Sequence, residues 1–181
     1  MQVAIIGAGP LGRWLALAVA RAGYTVLLED VMPSNLHHAQ EYLRQQLGPA
    51  ALPNVMFAST IEQAVREADL AIDCVPDELE SKLEIFCLLD RMAPPRTVLV
   101  TPTKRLSIAD LASCTFRADK CVALVADVQE LTEMAMSNGD ERGHAVILLR
   151  TPPQVTVETV SLVEEFWERI GFAPRFEADM K

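Results

Sequence analysis

At 181 residues the chain has room for one domain with a sizeable core, and half of it is apolar against 23% charged, a globular composition. A net charge of −9 without any basic run speaks against nucleic acid and anionic membrane surfaces as partners. No apolar stretch reaches the ~20 residues of a bilayer span, and no cationic lead marks a signal peptide. Cys74, Cys87, Cys114 and Cys121 form no C-x-x-C pair and read as buried thiols of a cytoplasmic protein, with no metal expected.

Short β-branched runs alternate with longer helical stretches, the pattern of a parallel sheet covered on both faces. Val3-Ala4-Ile5-Ile6 is uniformly apolar, as a central parallel strand requires. Pro10 stands at a first helical position, Leu15, Leu17, Ala18 and Val19 form the buried side, and Gly23 stops the helix. Thr25 to Leu28 is predicted as the second strand, ended by Glu29-Asp30, and Ser34 to Leu47 as a helix closed by Gly48-Pro49. Asn54 to Ala58 follows as a strand, then a helix from Thr60 with Gln63 in capping-box position.

Leu70 to Val75 is the fourth predicted strand, Leu79 to Met92 a helix, and Pro94-Pro95 a hard stop. Thr97 to Thr101 is the fifth strand, and Ser107-x-x-Asp110 opens a short helix. Val122 to Ala126 and Ala145 to Leu149 read as further strands, separated by a loose insertion from Ser137 to Gly143. Thr156 to Ile170 is amphipathic, with Val160, Val163, Phe166, Trp167 and Ile170 on its apolar side, and Ala173 to Phe176 is a last short strand. No repeat and no second domain is visible, so residues 1–181 are expected to form one unit.

Gly7-Ala8-Gly9-Pro10-Leu11-Gly12 matches G-x-G-x-x-G, and its setting between an apolar strand and a helix gives the match its weight. Gly7 serves the tight turn, Gly9 lets a pyrophosphate approach the backbone, and Gly12 allows close helix–strand packing. The N–H groups and dipole at the helix start favour negative phosphates. Asp30 lies 18 residues beyond Gly12, where a carboxylate accepts hydrogen bonds from ribose hydroxyls and repels a 2′-phosphate. The pattern therefore points to NAD rather than NADP. Glu29 takes the ribose role if the register slips by one residue. The bland alternative is a glycine turn that only connects strand to helix, with Asp30 a solvated acid.

On these residues the chain resembles the NAD-binding domain of the 3-hydroxyacyl-CoA dehydrogenase family. Gly7 to Arg13 is similar to that family's G-A-G-x-M-G-R turn, and Ala20-Arg21-Ala22-Gly23-Tyr24 to its A-x-A-G-Y/H helix end. Asp73-Cys74-Val75-Pro76-Asp77-Glu78-Leu79-Glu80-Ser81-Lys82 resembles its E-A-V-P-E-x-L-x-x-K segment. The likeness also covers Met92 to Leu111 and, more weakly, Thr156 to Thr159. The resemblance implies a single doubly wound Rossmann-type α/β domain with a mostly parallel sheet and an antiparallel addition near the C-terminus. It implies NAD as cofactor, a place in fatty acid metabolism, and Val75, Asp77 and Lys82 along the nicotinamide-side ribose and phosphates. A helix N-terminus whose dipole is complemented by Asp77, Glu78 and Glu80 explains the same residues without a ligand.

The chain also departs from the family. T-N-T-S-S-L after the fifth strand is Thr101-Pro102-Thr103-Lys104-Arg105-Leu106 here, so the asparagine and both serines are Pro102, Lys104 and Arg105. The catalytic histidine after V-I-G-L corresponds to Val125, which accepts no proton. The orienting glutamate falls at Ser137 without gaps, or at Ile147 when anchored on the following strand, and the later asparagine is Val128. The sequence ends at Lys181 without the family's helical, dimerising domain, and Ser34 to Pro53 leaves no room for a helical hairpin.

The leading expectation is an NAD(H)-binding protein without the family's catalytic pair: a redox sensor, one subunit of a split enzyme, or a relic. A second is an oxidoreductase on a small hydroxy or carbonyl substrate, with Asp127 or Glu130 as base. A third is an interaction protein that has lost the nucleotide. His37, His38 and His144 read as surface or edge residues, Trp14 and Tyr24 as packing residues, and Lys104 and Arg105 as a solvated pair or an anion contact. Self-association as a homodimer, or pairing with a separate subunit, is expected of such a lone domain.

Overall fold

The computed structural model describes residues 1–48, 51–127, 129–131, 133 and 145–179. β1 (Gln2–Ile6), β2 (Thr25–Glu29), β3 (Val55–Ala58), β4 (Leu70–Asp73), β5 (Val98–Pro102), β6 (Cys121–Leu124), β7 (Ala145–Thr151) and β8 (Phe172–Ala178) form one sheet in the order β3-β2-β1-β4-β5-β6-β7-β8. Pairing is parallel from β3 to β6, β7 runs antiparallel to β6, and β8 is parallel to β7. The expected α/β class and the antiparallel addition are both present.

The helices are α1 (Pro10–Arg21), α2 (Pro33–Gln46), α3 (Ile61–Val65), α4 (Leu79–Met92), α5 (Ile108–Ala112) and α6 (Val157–Arg169). Strand alternation sends Val3 and Ile5 of β1 to the core beneath α1, α2 and α6, while Ala4 and Ile6 face α3, α4 and α5. Two cores on opposite faces of one sheet make the central strands apolar on both sides, which is why Val3 to Ile6 of β1, Leu70 to Ile72 of β4 and all of β6 read as hydrophobic runs.

Local signals hold where a backbone group needed a partner. Thr60 accepts from the Gln63 N–H at 3.2 Å, and the Gln63 side chain in turn accepts from the Ser59 N–H and hydroxyl. Ser107 and Thr156 cap α5 and α6 in the same way. Trp14 packs edge-on against Phe172, and Tyr24 stacks with Phe166, so both are packing residues as expected.

Some expectations need correction. Ala18 is only half-buried while Ala16 and Ala20 are buried on α1, because the helix meets both α2 and the sheet. Val160 and Ile170 are half-buried, and Thr159 takes the inward place on α6 by donating to the Asp119 carbonyl. Cys87 is exposed on α4 rather than buried. The last strand is seven residues long and pairs along all of β7. Pro49, Val128, the insertion Ser137 to Gly143, and His144 lie outside the described residues.

Candidate functional site

β1 and β4 are the strands between which the chain reverses direction in building the sheet, the place where α/β sheets leave a crevice at their carboxyl ends. The glycine turn occupies that crevice. Gly7 has φ +105°, and its N–H donates to the Glu29 carbonyl at 2.8 Å, tying the turn to the end of β2. Gly12 packs so closely that a Cβ there would collide with the Gly7 carbonyl oxygen. Gly9 is different: a Cβ there meets no protein atom within 4 Å.

Gly9 is also the N-cap of α1 and supplies no side-chain cap, and Pro10 has no N–H. The first-turn N–H groups of Leu11 and Gly12 therefore lack intrahelical acceptors and sit at the positive end of a 12-residue helix. An open approach beside uncapped donors is the geometry a pyrophosphate fills.

A cavity of about 490 Å³ opens beside this turn, lined by Gly7, Gly9, Pro10, Glu29, Asp30 and Asn35 on one side. Ile61, Cys74, Val75, Pro76 and Ile85 close the other. The Asp30 carboxylate accepts from the Ala8 N–H at 2.8 Å, the Met32 N–H at 2.8 Å, and both of its oxygens meet the Asn35 amide. Its orientation is fixed at the rim of the cavity. Asn35 is a site residue that sequence reasoning missed, lying in the first turn of α2 within reach of Asp30.

Glu29 is buried at 5% exposure next to Asp30 and lines the same cavity. Burial, reinforced by the neighbouring Asp30 charge, pushes its carboxyl up to about 7. Cys74 lies deeper in the wall, and burial pushes its thiol well above the ordinary range.

A second cavity, of about 280 Å³, lies on the other side of Val75 and is lined by Leu11, Asp77, Pro102, Thr103, Lys104, Arg105, Ala126 and Asp127. Val75 lines both cavities and forms the partition between them. Asp77 accepts weakly from the Lys104 N–H at 3.4 Å. The Thr103 hydroxyl accepts from the Leu106 N–H at 3.0 Å and holds the loop that carries Lys104 and Arg105. Lys104 reaches across to Asp127 at 2.9 Å and Glu130 at 2.7 Å, bridging the loops after β5 and β6.

Lys82 sits elsewhere than the resemblance implied. It is fully buried, and its ammonium donates to Asp73 at 3.1 Å, the Thr101 hydroxyl at 2.9 Å and the Val75 carbonyl at 3.4 Å. It lines neither cavity. Asp73 also accepts from the Val75 N–H and the Thr101 hydroxyl, both at 2.9 Å. Burial pushes the Asp73 carboxyl up, and the Lys82 ammonium opposes that shift. The network sets the β4–α4 turn that bears Val75 and Asp77, so Lys82 acts on the site through the backbone. His37 and His38 are exposed on α2, His37 pairing with Glu41, and take no part.

Ala8 is buried and contributes its N–H inward to Asp30, while Gly7, Gly9 and Pro10 face the first cavity and Leu11 the second. One continuous path thus runs from the acids of β2, over the glycine turn and past Val75, to the loop after β5. A doubly wound sheet with this crevice is a dinucleotide-binding domain. The family model for the NAD binding domain of 3-hydroxyacyl-CoA dehydrogenase matches residues 2–125, and the chain belongs to that family, with NAD as its cofactor.

A probable 3-hydroxybutyryl-CoA dehydrogenase of Bacillus subtilis is 29% identical over 136 residues, 68% of this chain and 47% of that protein. The 3-hydroxyadipyl-CoA dehydrogenase of Escherichia coli is 30% identical over 123 residues, 61% of this chain and 26% of that protein. The matched region thus spans about half or less of these relatives. The fold is also that of the Archaeoglobus fulgidus 3-hydroxyacyl-CoA dehydrogenase, with a TM-score of 0.80 at 23% identity over 100% of this chain and 57% of that one. No helix among the described residues is long and apolar enough to cross a membrane.

Proposed function

We propose that this chain binds NAD(H) along the path described and does not by itself dehydrogenate 3-hydroxyacyl-CoA. The observation that carries the second half is Val125. It follows β6 directly, its N–H bonded to the Leu148 carbonyl, and the next two residues line the nicotinamide-side cavity. The resemblance puts the proton-accepting histidine at that position, and a valine side chain moves no proton. Of the two positions for the orienting glutamate, Ile147 is buried in the core of β7, and Ser137 lies outside the described residues.

Bound NAD supplies a hydride acceptor, or as NADH a donor. The residues of this chain supply its seat: the first turn of α1 for the pyrophosphate, Asp30 for the adenosine ribose, and Val75 and Asp77 for the nicotinamide half. Asp127 does not replace the missing histidine well. The Glu130 N–H and the Lys104 ammonium hold its carboxyl below the usual carboxylate range, which weakens it as a base. A single unit over residues 1–181, a cytoplasmic location and self-association as a homodimer belong to the same proposal.

The test joins a binding and a turnover assay on the full chain. NADH should quench protein fluorescence saturably, while NAD with 3-hydroxybutyryl-CoA should give no absorbance change at 340 nm above the uncatalysed rate. Turnover at ordinary enzymatic rates would place a working base in this site and overturn the proposal.

A further inference from the structure

Glu29 has no place in the dinucleotide scheme just given, yet its setting is unusual. It ends β2 with Ile6 of β1 and Ala58 of β3 as its neighbours in register. Nearly all of its surface is removed from water, and what remains faces the adenosine-side cavity. Among the described residues no side chain and no backbone group bonds to its carboxyl, whereas the adjacent Asp30 is held by three donors. The carboxyl is open only toward that cavity, so a group seated there meets it directly.

The surroundings specify the ligand group. α3 contributes Ile61, α4 contributes Ile85, and the β4–α4 turn contributes Val75 and Pro76, so the walls are apolar and suited to a flat base. The groups in those walls that titrate, besides Glu29, are Asp30 on its own strand end and the Cys74 thiol from the end of β4; β1, α3 and α4 present no charge there. No cationic side chain lines the cavity, so Glu29 has no salt-bridge partner there.

We propose that Glu29 in its acid form reads the adenine of the bound dinucleotide, donating its O–H to a ring nitrogen and accepting from the exocyclic amino group. The inference rests on the dinucleotide reading of this crevice. It makes binding of the adenosine half take up a proton whenever Glu29 is ionised in the free protein. Burial and Asp30 place that ionisation near neutral pH, so the coupling is visible under ordinary conditions.

The experiment is calorimetric titration of the full chain with NADH and with ADP-ribose from pH 5.5 to 8.5, in buffers of differing ionisation enthalpy. The wild type should lose affinity above neutrality, approaching tenfold per pH unit, and take up close to one proton per ligand at pH 8. Glu29→Gln keeps a donor and an acceptor but cannot titrate; its affinity should be independent of pH and match the wild type at pH 6. Glu29→Val should be flat and about tenfold weaker. Saturable wild-type binding without proton uptake, or parallel pH profiles for wild type and Glu29→Gln, overturns the role of Glu29 alone. Absence of binding at every pH overturns the dinucleotide reading together with it.

Discussion

The Ala8 N–H donates to the Asp30 carboxylate at 2.8 Å, joining the second residue of the glycine turn to the acid at the end of β2. The same carboxylate therefore braces the glycine turn and stands at the rim of the first cavity, where the proposed seat puts the adenosine ribose. Asp30→Ala should lower both stability and affinity. Loss of charge-assisted bonds to two backbone N–H groups costs roughly 2 kcal/mol, a fall of several degrees in Tm. NADH affinity should drop at least tenfold in a fluorescence titration. A variant with unchanged Tm but weakened binding would show that Asp30 acts on the ligand alone.

Gly9 and Gly12 should separate folding from binding. A Cβ at Gly9 meets open space, so Gly9→Ala should melt within a degree or two of the wild type while losing NADH affinity at least tenfold. At Gly12 the added carbon runs into the Gly7 carbonyl, and α1 must shift away from the turn. Gly12→Ala should cost about 1–3 kcal/mol, the usual range for overpacking, read by urea unfolding. Equal stability losses for the two variants would contradict the assignment of Gly9 to the ligand.

Lys82 and Asp73 form a fully buried ion pair. Lys82→Met leaves the Asp73 carboxylate without its counter-charge and should destabilise the chain by about 3–5 kcal/mol. Adding Asp73→Asn should recover part of that loss, because the remaining polar group is neutral. A Lys82→Met chain of wild-type stability with NADH affinity lost would instead make Lys82 a direct ligand contact.

Glu29 also gives the free protein a pH-dependent stability. Its carboxyl is raised from 4.5 to about 7 in the folded state, so the native state binds more protons than the unfolded state in that window. Stability from this group is present below pH 4.5, falls as pH rises to 7, and is constant above that. The full effect is roughly 3 kcal/mol. Urea titrations should find Glu29→Gln gaining on the wild type by that order between pH 4.5 and pH 8. A gap that stays constant with pH would mean that Glu29 is solvated in the free protein.

The parts of the site that were legible in the sequence are those that backbone geometry forces. Gly7 and Gly12 are needed at positions where a side chain meets strain or collision, and Pro10 sits where no N–H is required. Val75 followed from its place at the end of an apolar strand in a segment resembling the family. The resemblance puts Lys82 along the nicotinamide-side ribose and phosphates, but a matching segment does not fix which way the side chain turns, and here it turns into the core. Its ammonium is held by Thr101, 19 residues away on β5, and no local pattern reports that contact. The cavity-facing position of Glu29 is hidden for a similar reason: an acid ending a strand usually meets water, and only α3 and α4 folding over the strand remove it. Asn35 escaped because its role exists only once α2 is set against Asp30.

The most direct test of the central claim is a paired calorimetric titration of the full chain with NADH and NADPH at one pH and salt concentration. The account predicts saturable NADH binding at one site and NADPH at least tenfold weaker, a difference of about 1.4 kcal/mol, because Asp30 repels the 2′-phosphate. Equal affinity for the two would remove Asp30 from the ribose, and no binding of either would contradict the assignment of this crevice to a dinucleotide.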